Sequence, residues 1–318
     1  MSVLELPVVD VQDWRAGGTR REQFVRALGD SLQTWGFVAV TGHGIPVDHL
    51  RAAYATARAF FDLPPTQKAS YEFPDQGRQR GYTGFGVEHA KDQSTPDLKE
   101  FWQVGRDLGS DHPLVTSGQM PDNVWPDAPN GFAEAMGTLF QGMDSFATEL
   151  LDAIGIWLGL DDGAFPSIIQ DGNSVMRIIH YPPVRGDLPP GAVRAAAHED
   201  INLLTVLPTS TQPGLELWDR HTSTWLSVVT PPDVMICDTG DIMARFTNGR
   251  LPATTHRVVN PPGTANVARF SLPFFCHPRP DWVIRPLSGD APAVTAGAFL
   301  AERLRAIGLA NQGDADGS

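Results

Sequence analysis

The sequence predicts a mainly β protein with flanking helices, built on a jelly-roll core. From residue 172 onwards, about eight short apolar runs follow one another with only Pro, Gly, Asp or Asn residues between them. Strands joined by such short turns must pair antiparallel, which favours a sandwich or barrel. Before residue 172, apolar residues recur mainly at helical spacing. We therefore expect helices to buttress one β-rich core as an integrated unit.

Helical patterns surround a single strand in the N-terminal part of the chain. Phe24, Leu28, Leu32 and Trp35 recur every three or four residues, and helical character returns over residues 50–61. Residues 36–44 between them form a β-rich run closed by glycines, which predicts a strand leading into a turn. Residues 1–130 are accordingly expected to form a helix-rich region with a lid segment.

The rest of the chain is predicted to form the β-rich core with its long helix, followed by a C-terminal helix. One long amphipathic helix is predicted over residues 131–159, where it should pack against a sheet. A final helix is predicted over residues 296–309, with Thr295 as its N-cap. We expect a core over residues 131–290 and a C-terminal helix and tail over 291–318. The predicted strands cover residues 174–181, 196–207, 214–219, 224–229, 233–238, 241–247, 253–260, 268–276 and 281–287.

Composition narrows the classes of partner. The 318 residues include 24 Lys and Arg against 37 Asp and Glu, a net charge of -13 that disfavours binding to nucleic acid or anionic membranes. The N-terminus lacks a signal-peptide pattern, and no run approaches the length of a transmembrane helix. Cys237 and Cys276 lie in apolar runs, typical of buried reduced thiols. We expect a cytoplasmic monomer or weak homo-oligomer that acts on a small-molecule substrate.

The segment around His198 carries a candidate metal site. Residues two apart in a strand point to the same face, so His198 and Asp200 project together while Glu199 points the other way. His256 follows several predicted strands later, where a rolled sheet could bring it opposite. Two imidazoles and one carboxylate on one face of an octahedral ion leave three positions open, the arrangement of non-haem Fe(II) oxygenases. A single His-X-Asp motif is common by chance, so this pattern alone does not establish a site.

Several sequence blocks strengthen that interpretation. They are WGF at 35–37, GHGIP at 42–46, RGY at 80–82, PDLKE at 96–100, TGDIMARFTNG at 239–249 and ARFSLPFFCHP at 268–278. In this order and spacing they resemble the isopenicillin N synthase-like branch of the Fe(II)- and 2-oxoglutarate-dependent dioxygenases. The resemblance covers most of residues 5–285. It implies a double-stranded β-helix whose metal ligands are His198, Asp200 and His256.

The same resemblance implies a cosubstrate site. Arg269 and Ser271 match the family's pair for the distal carboxylate of 2-oxoglutarate, and Tyr181 matches a tyrosine that helps to hold it. Arg269 and Ser271 share a strand face, and a guanidinium with a hydroxyl can bind a carboxylate through charge-assisted hydrogen bonds. Ile179 stands where the family has an amide donor, so that contact is lost or supplied elsewhere. His180 is expected to face the opposite side of the strand.

The resemblance also implies the chemistry. With Fe(II), 2-oxoglutarate and O2, and with ascorbate in support, the protein would oxidise an unactivated C–H bond of a small organic substrate. Hydroxylation is expected, with desaturation or ring closure as variants of the outcome, and the carboxylate of Asp200 disfavours halogenation. Two competing functions stay open at this point: a 2-oxoglutarate-independent Fe(II) oxidase of the isopenicillin N synthase type, and a non-catalytic metal-binding jelly roll.

Four residues of the expected lid are candidate substrate contacts. Tyr82, Phe85, Lys99 and Phe101 combine aromatic and basic character in a region that overhangs the active site in the family. A substrate with an apolar body and an acidic group would suit them. The Gly240-Asp241 pair, by contrast, is typical of a turn between two strands, and we do not expect Asp241 to bind a metal.

Overall fold

The computed structural model describes residues 2–74, 78–88, 96–184, 192–260 and 265–306. Its helices are α1 (Val11–Ala16), α2 (Gly18–Trp35), α3 (Val47–Phe61), α4 (Pro65–Ala69), α5 (Pro113–Thr116), α6 (Phe132–Leu158), α7 (Ala164–Ile169), α8 (Asp241–Phe246) and α9 (Ala296–Ala306). Its strands are β1 (Ser2–Glu5), β2 (Val8–Asp10), β3 (Phe37–Thr41), β4 (Gly81–Thr83), β5 (Glu100–Gly105), β6 (Val175–Tyr181), β7 (Ala195–His198), β8 (Leu204–Pro208), β9 (Leu215–Asp219), β10 (Thr224–Val229), β11 (Met235–Thr239), β12 (His256–Val258), β13 (Arg269–Ser271), β14 (Phe274–Cys276), β15 (Val283–Ile284) and β16 (Val294–Thr295).

Two sheets form a double-stranded β-helix, as the sequence predicts. The larger sheet has the order β2-β3-β11-β8-β14-β6-β5-β4, with β13 also paired to β6, and the smaller sheet has the order β1-β10-β9-β12-β7. Apolar side chains of both sheets pack together; Leu217 and Leu226 of the smaller sheet meet Phe37 and Ile236 of the larger one. Strands β2 to β5 come from the N-terminal region, so that region is built into the larger sheet.

Helix α6 supports the larger sheet and matches the helix predicted over 131–159. Gly131 and Gly159 flank it, both with φ of +79°, a left-handed conformation that glycine adopts at little cost. Its buried face, which includes Leu139 and Leu150, packs against the sheet because apolar residues recur every three or four positions. Within the described ranges, no helix has the length and apolar character that crossing a membrane requires.

Three of the predicted strands differ in the structure. Residues 241–246 form helix α8, so the strand predicted over 241–247 is wrong; the buried residues Ile242, Met243 and Phe246 follow helical spacing. The run predicted over 196–207 is divided into β7 and β8. The run predicted over 268–276 is divided into β13 and β14 by a segment containing Pro273, which has no backbone N–H to donate.

The C-terminal helix begins where the sequence predicts. The backbone N–H of Ala298 donates to the Thr295 hydroxyl at 3.3 Å, so Thr295 caps α9. Residues 307–309 of the predicted helix lie outside the described residues. Cys237 and Cys276 are both buried free cysteines, as expected.

Candidate functional site

The structure brings the three predicted metal-binding residues together at one end of the smaller sheet. His198 ends β7 and His256 begins β12, and the two residues are direct partners in the antiparallel ladder. The Nε2 atoms of both histidines lie 3.9 Å from Oδ1 of Asp200. One ligand atom from each residue lies within 4.8 Å of the other two, which is close enough for one ion to bind all three. Two imidazoles and one carboxylate suit a non-haem Fe(II) centre.

Backbone hydrogen bonds orient both imidazoles. Nδ1 of His198 lies 2.7 Å from the carbonyl oxygen of Ala196, and Nδ1 of His256 lies 3.1 Å from that of Thr254. A carbonyl oxygen only accepts, so each Nδ1 carries the proton and each Nε2 lone pair is free for a metal. Burial, together with the nearby His198, lowers the pKa of His256 to about 4. His256 is therefore a neutral imidazole, as a metal ligand must be.

A hydrogen bond to its second oxygen orients the carboxylate of Asp200. Its Oδ2 accepts a hydrogen bond from the Thr205 hydroxyl, which leaves Oδ1 facing the histidines. Burial and the neighbouring Asp200 raise the pKa of Asp238 well above its usual range, so the two carboxyl groups do not both carry charge. Glu199 follows the end of β7, is exposed and accepts a hydrogen bond from Thr255; it borders the cavity but does not belong to the metal-binding cluster.

A buried guanidinium forms a second part of the site. Nε of Arg269 donates to the carbonyl oxygen of Gln212 at 3.0 Å, and Nη2 donates to the Ser210 hydroxyl at 2.9 Å. The Ser210 hydroxyl lies 3.1 Å from that of Ser271. Nη1 of Arg269 is buried and has no hydrogen-bond partner among the described residues. A buried donor without a partner is costly, so this arrangement fits a bound anion.

Tyr181 and Ile179 lie beside that guanidinium. Arg269 and Tyr181 are cross-strand partners, and the guanidinium carbon lies 5.1 Å from the centre of the tyrosine ring. Ile179 is buried and adds no hydrogen bond through its side chain. His180 faces the other side of β6, as predicted; it contacts Glu100 at 2.8 Å and stacks on Phe270.

One cavity of about 430 Å³ joins the two parts of the site. The histidine–aspartate cluster, Arg269, Ser271 and Tyr181 all line it. Four charged residues from the lid side and from strand β6 also line it; we call this set the polar wall, and its members are Glu88, Asp97, Lys99 and Arg177. Nζ of Lys99 lies 2.7 Å from both Glu88 and Asp97, and Arg177 lies 3.0 Å from Glu88.

Of the four predicted substrate contacts, only Lys99 lines the cavity. Tyr82 and Phe101 are buried and do not border the cavity; the Tyr82 hydroxyl donates to Glu100, and Phe101 packs behind lining residues such as Ile179. Phe85 is 53% exposed and does not border the cavity. A substrate contact for Tyr82, Phe85 or Phe101 therefore stays a prediction, and none of the three lines the cavity. His89 of the same segment lies outside the described residues.

Two further features border the cavity. His277 lies near both Asp200 and Arg177, and burial lowers its pKa to about 4, so its imidazole is neutral. Arg303 of α9 forms an ion pair of 3.2 Å with Asp241. Asp241 is the first residue of α8 rather than a turn residue between strands, and it does not belong to the metal-binding cluster.

Sequence reasoning missed Thr205, Ser210 and Glu88. Thr205 is a polar residue within the apolar run 203–207. A polar side chain in such a run needs a buried hydrogen-bond partner, and this pattern could have identified Thr205 as a residue of the site. Ser210 and Glu88 lie in polar segments. No sequence pattern distinguishes them from solvent-exposed residues.

Comparisons with known proteins agree with this geometry. Residues 6–128 match the family model described as non-haem dioxygenase in morphine synthesis N-terminal, and residues 172–278 match that of the 2OG-Fe(II) oxygenase superfamily. A proline hydroxylase of Petromyces alliaceus is 31% identical over 282 residues, which cover 85% of this chain and 86% of the relative. The chain belongs to the 2OG-Fe(II) oxygenase superfamily.

Solved structures of this superfamily share the whole fold. A protein from Caulobacter crescentus assigned to the 2OG-Fe(II) oxygenase family superposes with a TM-score of 0.84, at 36% identity, covering 94% of this chain and 98% of that one. A full-length Neurospora crassa protein, solved in complex with α-ketoglutarate and thymine, superposes with a TM-score of 0.83, at 26% identity, covering 95% and 96%. As a 2OG-Fe(II) oxygenase, the protein is an enzyme that requires Fe(II), 2-oxoglutarate and O2 and acts on a small organic substrate.

Proposed function

We propose that this oxygenase hydroxylates an unactivated C–H bond of a small organic molecule inside the 430 Å³ cavity. The observation that supports the proposal is that one cavity is lined both by the metal-binding cluster of His198, Asp200 and His256 and by Arg269. Arg269 has a buried donor that lacks a hydrogen-bond partner among the described residues, which suits a bound anion. In this proposal the cluster holds Fe(II). Arg269, Ser271 and Tyr181 hold the distal carboxylate of 2-oxoglutarate.

The residues of the chain have separate tasks in that reaction. The carbonyl groups of Ala196 and Thr254 fix the imidazole planes, and Thr205 fixes the carboxylate of Asp200. Arg269 supplies a buried positive charge that sets the direction in which a bound diacid lies. When bound, the iron supplies the activation of O2, by which a substrate C–H bond becomes C–OH while 2-oxoglutarate becomes succinate and CO2.

The relatives support a small substrate. One is named a proline hydroxylase, and a solved neighbour holds thymine, so both act on or bind small cyclic molecules. A cavity of about 430 Å³ is within the size range of small-molecule sites. Desaturation or ring closure would use the same site, and either would be recognised because its product differs from the hydroxylated one.

The test is succinate release from protein loaded with Fe(II), with 2-oxoglutarate and ascorbate present, across amino acids, nucleobases and aromatic metabolites. We expect at least one compound to raise succinate release and to gain one oxygen atom by mass spectrometry. Iron-dependent turnover of a compound without loss of 2-oxoglutarate would instead establish an oxidase of the isopenicillin N synthase type. Absence of iron binding by the purified protein would contradict the proposal directly.

A further inference from the structure

The charges of the polar wall neutralise one another. Lys99 lies between the carboxylates of Glu88 and Asp97, with 2.7 Å to each, and Arg177 contacts Glu88 at 3.0 Å. All four side chains are largely buried, with exposed fractions of 4% to 14%. Two acids therefore balance two bases at a place where solvent screening is weak.

Glu88 is the centre of this arrangement. It contacts both cations of the wall, whereas Asp97 contacts only Lys99 and also accepts the backbone N–H of Ala196 at 2.8 Å. Burial alone would favour a neutral acid, but the charges of Arg177 and Lys99 lower the pKa of Glu88 to about 2. Glu88 is thus ionised at neutral pH and cancels one positive charge of the wall.

Among the described residues that line the cavity, no other positively charged side chain is available to bind an anionic group of a substrate. Arg303 is paired with Asp241 at 3.2 Å, and Arg269 is the proposed anchor of 2-oxoglutarate. Gln79, Gln103, Asn173 and the neutral His277 add uncharged polar groups to the lining, and the exposed acid Glu199 accepts a hydrogen bond from Thr255. The flat rings of Phe101 and Phe275 flank Arg177 at 4.5 and 5.6 Å from its guanidinium carbon and hold it in place.

We propose, on the basis of the proposed function, that the cavity selects substrates whose part facing the polar wall is uncharged and polar, and that Glu88 sets this selection. A carboxylate would lose its hydration in the cavity without gaining a counter-ion. An amide, a lactam or a heterocyclic ring can exchange hydrogen bonds with His277 and Asn173 at no such cost. The sequence-based expectation of an acidic group on the substrate depends on Lys99, whose charge the structure shows to be compensated.

The experiment uses three molecules of one shape: benzamide, benzoate and benzamidine, which are neutral, anionic and cationic. Their binding is measured by titration calorimetry on anaerobic protein saturated with Fe(II) and 2-oxoglutarate, so that the Arg269 site is occupied. In the wild type, benzamide should bind at least about tenfold more tightly than either ion. Tighter binding of benzoate than of benzamide to the wild type would overturn the proposal.

Two variants then change the charge of the wall in opposite directions. Glu88→Gln leaves Arg177 uncompensated and should tighten benzoate binding about tenfold or more. Arg177→Gln leaves an excess carboxylate and should tighten benzamidine binding about tenfold or more. This second variant keeps the test valid if Glu88→Gln fails to fold. The double variant should return to the wild-type preference. Glu149→Gln is the matched control, because it breaks an ion pair with Arg15 that is remote from the cavity. It should leave the relative affinities for the three molecules unchanged.

An unchanged preference in both folded single variants would show that the wall does not set the selection. These titrations do not depend on turnover. Substrate-dependent succinate release by the wild type reports on the proposed function separately, so a failure of one is distinguishable from a failure of the other.

Discussion

His198 and His256 face each other across the β7–β12 pair, with their ring centres 4.4 Å apart. At that spacing two protonated imidazoles would repel, whereas two neutral ones can share a cation. The ladder therefore brings together two residues far apart in sequence, and Asp200 completes the set from two positions beyond His198. The site depends on strand register, because a slip of one residue would turn one imidazole to the opposite face.

Alanine substitution of any one of these three residues should abolish iron binding at micromolar metal. Each change removes one of three protein ligands and leaves two, too few for a stable site of this type. Iron content after equilibrium dialysis is the measurement, with circular dichroism to confirm the fold. Glu199→Gln is the control and should retain iron, since Glu199 is exposed and bonded to Thr255. Loss of iron in that control would mean that the strand register is wrong.

Thr205→Val should weaken iron binding while the fold is retained. The Thr205 hydroxyl holds Oδ2 of Asp200, and valine has nearly the same shape but cannot donate. Loss of such a partner behind a metal ligand costs about 10- to 100-fold in affinity. A competition titration against a coloured chelator measures it. Thr222→Val, at an exposed turn, is the matched control. Equal affinity in the wild type and Thr205→Val would show that Asp200 does not need this support.

Arg269→Ala should raise the KM for 2-oxoglutarate by about a hundredfold or more, because removal of a buried charged partner costs roughly 3 to 5 kcal/mol. Iron affinity should change far less, since Arg269 does not belong to the metal-binding cluster. Initial rates of succinate release at varied 2-oxoglutarate give the value. Arg51→Ala, at an exposed surface pair, should leave it unchanged. A normal KM in Arg269→Ala would place the cosubstrate elsewhere in the cavity.

Much of this architecture follows from local patterns. Turn-separated apolar runs predict the β core, and residues two apart in the predicted strand 196–207 predict the joint projection of His198 and Asp200. Helix α8 has the sequence pattern of a strand because a six-residue segment shows too little periodicity to separate the two kinds of element. The pairing of His198 with His256 depends on contacts between distant strands, which spacing alone allows but does not determine.

The polar wall could not be predicted for a related reason. In the sequence Lys99 lies close to Phe101 and Trp102, which suggests an anion site, although Asp97 and Glu100 are equally near. Only the fold reveals that Glu88 and Asp97 both lie 2.7 Å from its ammonium group. Charge compensation is a property of tertiary contacts, so a prediction of substrate charge from residue types in one segment is unreliable.

Glu88 should contribute to stability in a pH-dependent way. Burial opposes its ionisation, but Arg177 and Lys99 lower its pKa from 4.5 to about 2. A pKa that is lower in the folded state contributes stability above the unfolded-state value, and this contribution is lost as the pH falls from about 4.5 towards 2. At neutral pH the contribution is on the order of 3 kcal/mol. Urea unfolding of the wild type and of Glu88→Gln at a series of pH values measures it.

The free energy of unfolding should therefore be lower in Glu88→Gln than in the wild type at pH 7, and the difference should shrink below about pH 4.5. Glutamine cannot ionise, so the variant lacks this part of the acid sensitivity. Glu149→Gln removes an exposed ion pair with Arg15 and should cost less than about 1 kcal/mol at every pH. A difference between wild type and Glu88→Gln that stays constant from pH 7 to pH 3 would mean that Glu88 stabilises the fold by packing rather than by its charge.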